Sequence, residues 1–195
     1  MAGLDFLVLT RRFDEGVREL RRAGEIDPLS RVIGSDTAYA LGFAGRFDEA
    51  IDQARRTLEL DPDFSHAYSA LGYALDGKGQ FTEAISAYEK AISIRDDGYT
   101  RAVLIRALVR AGRRSEAERQ MEALRTFAAK SYVPNLCFAI AHTALGDKEL
   151  AIAMLEKDVE ERSSYAVTIA IERALDDLRD DPRFKAMLKR MNLPE

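Results

Sequence analysis

The sequence predicts an all-α fold, a solenoid of about five helix–turn–helix units. Three observations predict it: a 34-residue period, apolar stripes at helical spacing, and glycines and prolines at the ends of the stripes. Phe13, Phe47 and Phe81 are spaced by 34 residues, as are Gly16, Ala50 and Ala84. Pro28 and Pro62 keep the same interval, and so do Gly45 and Gly79. The text itself recurs as Arg12-Phe13-Asp14-Glu15-Gly16, Arg46-Phe47-Asp48-Glu49-Ala50 and Gln80-Phe81-Thr82-Glu83-Ala84. The period slips by one at Gly112 and returns to 34 at Gly146, with Ala117 and Ala151 in their expected places.

One unit shows how the pattern folds. The stretch from Asp63 to Asp76 carries Tyr68, Leu71, Gly72 and Leu75 at spacings of three and four, which is one face of a helix. Gly79 follows, able to take the left-handed conformation that ends a helix. From Phe81 to Ile94 the residues Ala84, Ile85, Tyr88, Ala91 and Ile92 form a second stripe. Asp48, Glu49 and Glu83 lie just after the turns, where a helix N-terminus favours negative charge. Pro28 and Pro62 are expected to open the next unit, where a missing N–H costs nothing. Gly72 and Ala84 are small enough for the two helices to approach closely.

On Tyr68, Leu71, Gly72, Leu75, Ala84, Tyr88 and Ala91, together with the period, the chain resembles tetratricopeptide repeat proteins. The resemblance implies a right-handed superhelical solenoid whose first helices line a concave groove. It sets the units at about 1–30, 31–64, 65–97, 98–131 and 132–165, with the first truncated and 166–195 forming C-terminal capping helices. The tail is read as two helices, Tyr165 to Arg179 and Pro182 to Met191, covering the last repeat. Two departures stand out: Ile105, where a small residue is usual, and Asp158, where alanine is usual. The stretches Gly146-Asp147-Lys148 and Arg179 to Phe184 are similar to the C-terminal repeat arrays of bacterial multidomain signalling and transcription-regulatory proteins. A fragment of such a protein, or a chain whose first repeat is incomplete, are both compatible with this reading.

Composition narrows the function. The formal net charge of −4 supplies no basic field for nucleic acid. The arginines from Arg101 to Arg119 are interleaved with Glu116 and Glu118 and lack an aromatic platform, so nucleic acid is not an expected partner. The longest apolar run, Leu136 to Ala141, is too short to span a bilayer, and Asp5 interrupts the apolar start, so no membrane partner or signal peptide is expected. With one cysteine, the expectation is a cytoplasmic protein without disulfides.

No catalytic set emerges. His66, His142 and Cys137 have no metal-ligand spacing, and Cys137 reads as a buried small hydrophobe. No glycine-rich phosphate loop is present, since Gly77 and Gly79 already serve a repeat turn. The expectation is a non-enzyme with no cofactor and no metal.

Following the resemblance, spacing along the first helices selects the groove residues Ser35 and Tyr39, His66, Ser69 and Tyr73, and Tyr99, Arg106 and Arg110. Tyrosines beside an arginine pair suit a peptide or partner protein bearing a carboxylate. The same tyrosines also suit helix packing with only their hydroxyls wet. The groove positions carry no lysine or asparagine, which argues against the clamp that holds chaperone tails. Self-association into a homodimer is the alternative, through the end of the array or the tail, with the apolar groove positions Val133, Leu136 and Ile140 as the place to receive a tail from the same chain or a second one.

Overall fold

In the computed structural model of the chain, residues 11–194 are described, and all their regular elements are helical. The expected truncation of the first unit falls on residues 1–10, outside the described residues. The chain divides into two compact units, residues 1–96 and 97–195.

The first unit contains α1 (Phe13–Ile26), α2 (Arg31–Phe43), α3 (Phe47–Leu60), α4 (Ser65–Gly77) and α5 (Phe81–Ile94). α2 packs against α3 and α4 against α5, and α4 also lies against α2 and α3. Within the pairs α2–α3 and α4–α5 the chain turns at Gly45 (φ 76°) and Gly79 (φ 80°). The amide after each glycine donates back, Arg46 to the Leu41 carbonyl at 2.9 Å and Gln80 to the Leu75 carbonyl at 3.0 Å. This is the six-to-one bond that closes a helix on a left-handed residue.

The second helices begin without a side-chain N-cap. In α3 the residue before the helix does the work instead: Arg46 clamps Glu49 of the first turn with two bonds of 2.7 Å. Arg12 holds Glu15 of α1 in the same way. The recurring Arg-Phe-Asp-Glu text is therefore a helix-start signal, in which an acid faces the helix N-terminus and an arginine fixes it there.

The prolines differ from expectation. Pro28 and Pro62 sit in the turns before α2 and α4 and not in their first turns. Around Pro62 the Asp61 carboxylate accepts from the Asp63 amide at 3.1 Å, and the Asp61 carbonyl accepts from Phe64 at 3.2 Å. The aspartate turn fixes the proline outside the helix.

α4 and α5 meet closely at Gly72. A Cβ there would lie 2.6 Å from the ring of Tyr88, which is fully buried. The tyrosine thus occupies the volume that any side chain at 72 would need.

The second unit holds α6 (Gly98–Arg110), α7 (Arg114–Ala128), α8 (Asn135–Leu145), α9 (Lys148–Glu160) and α10 (Pro182–Arg190). The one-residue slip in the period is the loop before α6, residues 95–97, against 61–64 before α4. α6 packs on α7 and α8, and α8 on α9. Ile105 and Met121, one period on from Gly72 and Tyr88, are both buried, so bulk is redistributed between the two positions.

Three buried or half-buried carboxylates start helices in this unit. Asp97 accepts from the Thr100 amide at 2.9 Å and caps α6. Asp158, fully buried in α9, accepts from the Leu136 amide at 2.8 Å and from Asn135 Nδ2 at 3.0 Å. It serves the start of α8, where the N-cap position is Pro134 and offers no side-chain acceptor. This accounts for an acid where alanine is usual.

Glu172 is the third, and it corrects the reading of the tail. The expected helix from Tyr165 to Arg179 is two short 3-10 segments, Ala166–Ala170 and Arg173–Leu178, broken at Glu172. The Glu172 backbone is extended there, and its carboxylate accepts from the Ala174 amide at 2.9 Å. The second 3-10 segment packs on α8, while the first and α10 pack on α9. Leu175, Leu178, Phe184 and Leu188 are buried.

Candidate protein-interaction surface

In the first unit the sequence-selected residues fall on the first helices of consecutive pairs. α2 carries Ser35 and Tyr39, and α4 carries His66, Ser69 and Tyr73. The Tyr39 hydroxyl donates to Ser69 Oγ at 2.8 Å in a buried bond between the helices. The Tyr39 ring centroid is 5.0 Å from His66 and 5.9 Å from Tyr73, and Phe43 stands 5.1 Å from Tyr73 edge-on. Such tilted and edge-on pairs are the favoured aromatic geometries. Four rings are therefore held together, Tyr39 and Phe43 one turn apart on α2 and His66 and Tyr73 two turns apart on α4.

The edge of the cluster is wet. His66 Nε2 lies 3.3 Å from Asp36 Oδ1, and both side chains are about 40% exposed. Beside them Arg31 lies 5.1 Å from the Phe64 ring centroid and pairs with Asp61. Charge, aromatic surface and hydrogen-bonding edges thus converge on one face of α2 and α4.

Burial grades the selected residues. Tyr39, Ser69 and Tyr73 are largely buried, and His66 is half-buried. Ser35 is completely buried, its Oγ without a hydrogen-bond partner, so it gives this face no contact surface. Spacing had placed it one turn from Tyr39, but depth depends on the helices packed around α2. Phe43 and Asp36 belong to the cluster and were missed, although they lie four residues after and three before Tyr39 on the same stripe.

In the second unit Tyr99, Arg106 and Arg110 all lie on α6. Arg106 is half-buried and Arg110 exposed. Tyr99 donates from its hydroxyl to Glu172 Oε2 at 2.9 Å, tying α6 to the tail. No sequence signal could have found this contact, because the partners are 73 residues apart.

The remaining reactive groups are enclosed. Cys137 is buried, and burial together with the carboxylates of Asp97, Asp158 and Glu172 pushes its thiol far above the ordinary range, which suppresses the thiolate. His142 is buried with Nδ1 3.4 Å from Asp147. Among the described residues no group of three His, Cys, Asp or Glu could hold a metal ion, and no helix is long and apolar enough to cross a membrane.

Residues 35–99, which run from within α2 through α3, α4 and α5 to the start of α6, match the tetratricopeptide repeat family. No curated protein gives a match. Among solved structures, the chain is similar to one titled "Structure of Naa15/Naa10 bound to HypK-THB", at 18% identity and a TM-score of 0.51. The similarity covers 98% of this chain and 34% of that one, so the chain spans about a third of the length of the protein it matches. What the chain shares with these proteins is an all-helical fold of tetratricopeptide-type repeats, with the family match itself on residues 35–99.

Proposed function

We propose that the chain is a non-catalytic scaffold that binds a peptide or partner protein on the α2–α4 face of the first unit. The observation that carries this reading is the ring cluster of Tyr39, Phe43, His66 and Tyr73 beside the wet Asp36–His66 edge. Aromatic side chains already locked by packing lose little freedom on binding, and aromatic anchors with polar edges dominate interface energies. In the second unit, taken by itself, Arg106 and Arg110 of α6 are proposed as contacts for a partner. The similar solved structure is a protein complex by its title, which fits a role in protein assembly. The tail stretches Gly146-Asp147-Lys148 and Arg179 to Phe184 support placing the chain as a cytoplasmic module of a larger bacterial signalling protein.

A photo-crosslinking amino acid at Phe43, in the chain expressed in its host, tests the reading. A discrete adduct at position 43, with none at the exposed Arg55 on α3, is expected. Equal labelling at both positions would remove the α2–α4 face from the account.

Self-association is a second reading, and one observation favours it. Ile26, Leu29, Val32 and Leu60 are large apolar residues left exposed in the first unit. One period on, the positions of Leu29 and Val32 are Asp63 and His66, so the repeat itself does not require apolar residues there. Ile26, Leu29 and Val32 follow closely along the chain, and contiguous exposed apolar surface marks contact sites. A concentration-dependent dimer by light scattering, lost in Leu29→Glu with Val32→Glu, is the expected result of this reading. A monomer at every concentration removes it.

A further inference from the structure

We propose that the second unit has a separate docking groove for an acidic segment of a partner protein, with Arg162 and Arg190 as its carboxylate partners. The groove is about 680 Å3, and Val159, Arg162, Val167, Arg190 and Met191 are among the residues lining it. It runs beside the C-terminal ends of α9 and α10 and shares no residue with the α2–α4 face.

The backbone at Arg162 is the first argument. Its φ is 53°, in the left-handed region that L side chains rarely adopt. Ser163 donates to the Asp158 carbonyl at 2.9 Å, so the turn closing α9 needs this conformation. Gly45, Gly79, Gly112 and Gly146 take comparable conformations in this chain, and Asn192, a tolerated type, closes α10 in the same way. Arg11 is the other arginine so placed. The helix-ending turns at Gly45, Gly79, Gly112, Gly146 and Asn192 use glycine or asparagine, whereas at the end of α9 the turn residue is an arginine that lines the groove.

Charge is the second argument. Neither Arg162 nor Arg190 is ion-paired among the described residues, although both line the same groove. Two open guanidinium forks around apolar side chains match an apolar residue flanked by carboxylates. Glu160 also lines the groove, and the C-terminal ends of α9 and α10 bring the negative ends of two helix dipoles to it. The apolar side chains between the two arginines favour a protein segment, which brings an apolar residue together with its carboxylates, over a nucleic-acid backbone.

The test is fluorescence anisotropy of the full chain with a set of fluorescein-labelled peptides. Each peptide places one apolar residue (Leu, Ile, Val, Phe or Met) between two Glu residues, and Gln-Gln versions with both Glu replaced serve as controls. At least one acidic peptide is expected to bind, at least tenfold tighter than its Gln-Gln version. Arg190→Gln and Arg162→Gly are each expected to weaken it at least tenfold. Arg162→Gly is also expected to hold or raise the melting temperature, because glycine relieves the left-handed backbone, and this separates lost binding from lost folding. Binding unchanged in both variants overturns the proposal. So does the absence of binding by any acidic peptide, displacement by millimolar inorganic phosphate, or tighter binding of a labelled single-stranded oligonucleotide.

Discussion

The Tyr39 hydroxyl donates to Ser69 Oγ at 2.8 Å in a buried bond between α2 and α4. That bond adds to the packing of the Tyr39 ring against His66 and Tyr73 in the proposed binding face. Tyr39→Phe should cost about 1 kcal/mol, the net worth of a neutral hydrogen bond, while leaving the ring in place. Ser69→Ala should cost a similar amount, and the double variant clearly less than the sum, because both changes remove one interaction. Urea unfolding of the four chains measures this, and full additivity would show the bond contributes nothing of its own.

Gly72 and Tyr88 share one volume. Gly72→Ala is expected to destabilise the first unit by about 1–3 kcal/mol, since its new methyl meets the buried ring at 2.6 Å. Combining it with Tyr88→Leu should cost less than the two changes added. Thermal unfolding of the single and double variants decides it, and a neutral Gly72→Ala would contradict the packing argument.

Much of this was legible in the sequence, and what was not has physical causes. The glycine turns and the helix pairs follow local rules, and they appear where the 34-residue period placed them. The tail did not follow, because its break at Glu172 depends on a carboxylate bonded to Tyr99 on a distant helix. Spacing assigned Ser35 to the same stripe as Tyr39, but periodicity reports direction and not depth, and Ser35 lies fully buried. Asp158 was visible as a departure from the repeat, yet its purpose required seeing Pro134 at the N-cap of α8.

Asp158→Ala should therefore be among the most damaging single changes in the second unit. It strands the Leu136 amide and Asn135 Nδ2 in a buried setting, at about 2–4 kcal/mol. Asp158→Asn keeps one acceptor and should cost less. Circular dichroism melts of the two variants provide the comparison, and equal losses would argue against a capping role.

Glu49 gives a pH dependence of known sign. Its hydrogen bonds to Arg46 and Arg21 lower its pKa from 4.5 to about 2 in the folded chain. A lowered folded value stabilises the fold above the unfolded value, so this contribution is complete above about 4.5 and is lost as the pH falls through about 2. The pair is surface-exposed, so the effect stays under about 1 kcal/mol. The stability gap between the chain and Glu49→Gln should be constant at neutral pH and shrink on acidification. A gap that widens in acid would contradict the assignment.

The account stands most directly on the binding face of the first unit. The decisive measurement is the affinity of a display-selected peptide, chosen on the whole chain, for the chain itself and for His66→Asp and Phe43→Asp. Both positions are partly exposed at the edge of the ring cluster, so the variants should fold, as a melting curve will show. The account predicts that each weakens the peptide at least tenfold with little change in melting temperature. Peptides that bind both folded variants as tightly as the parent chain would contradict it.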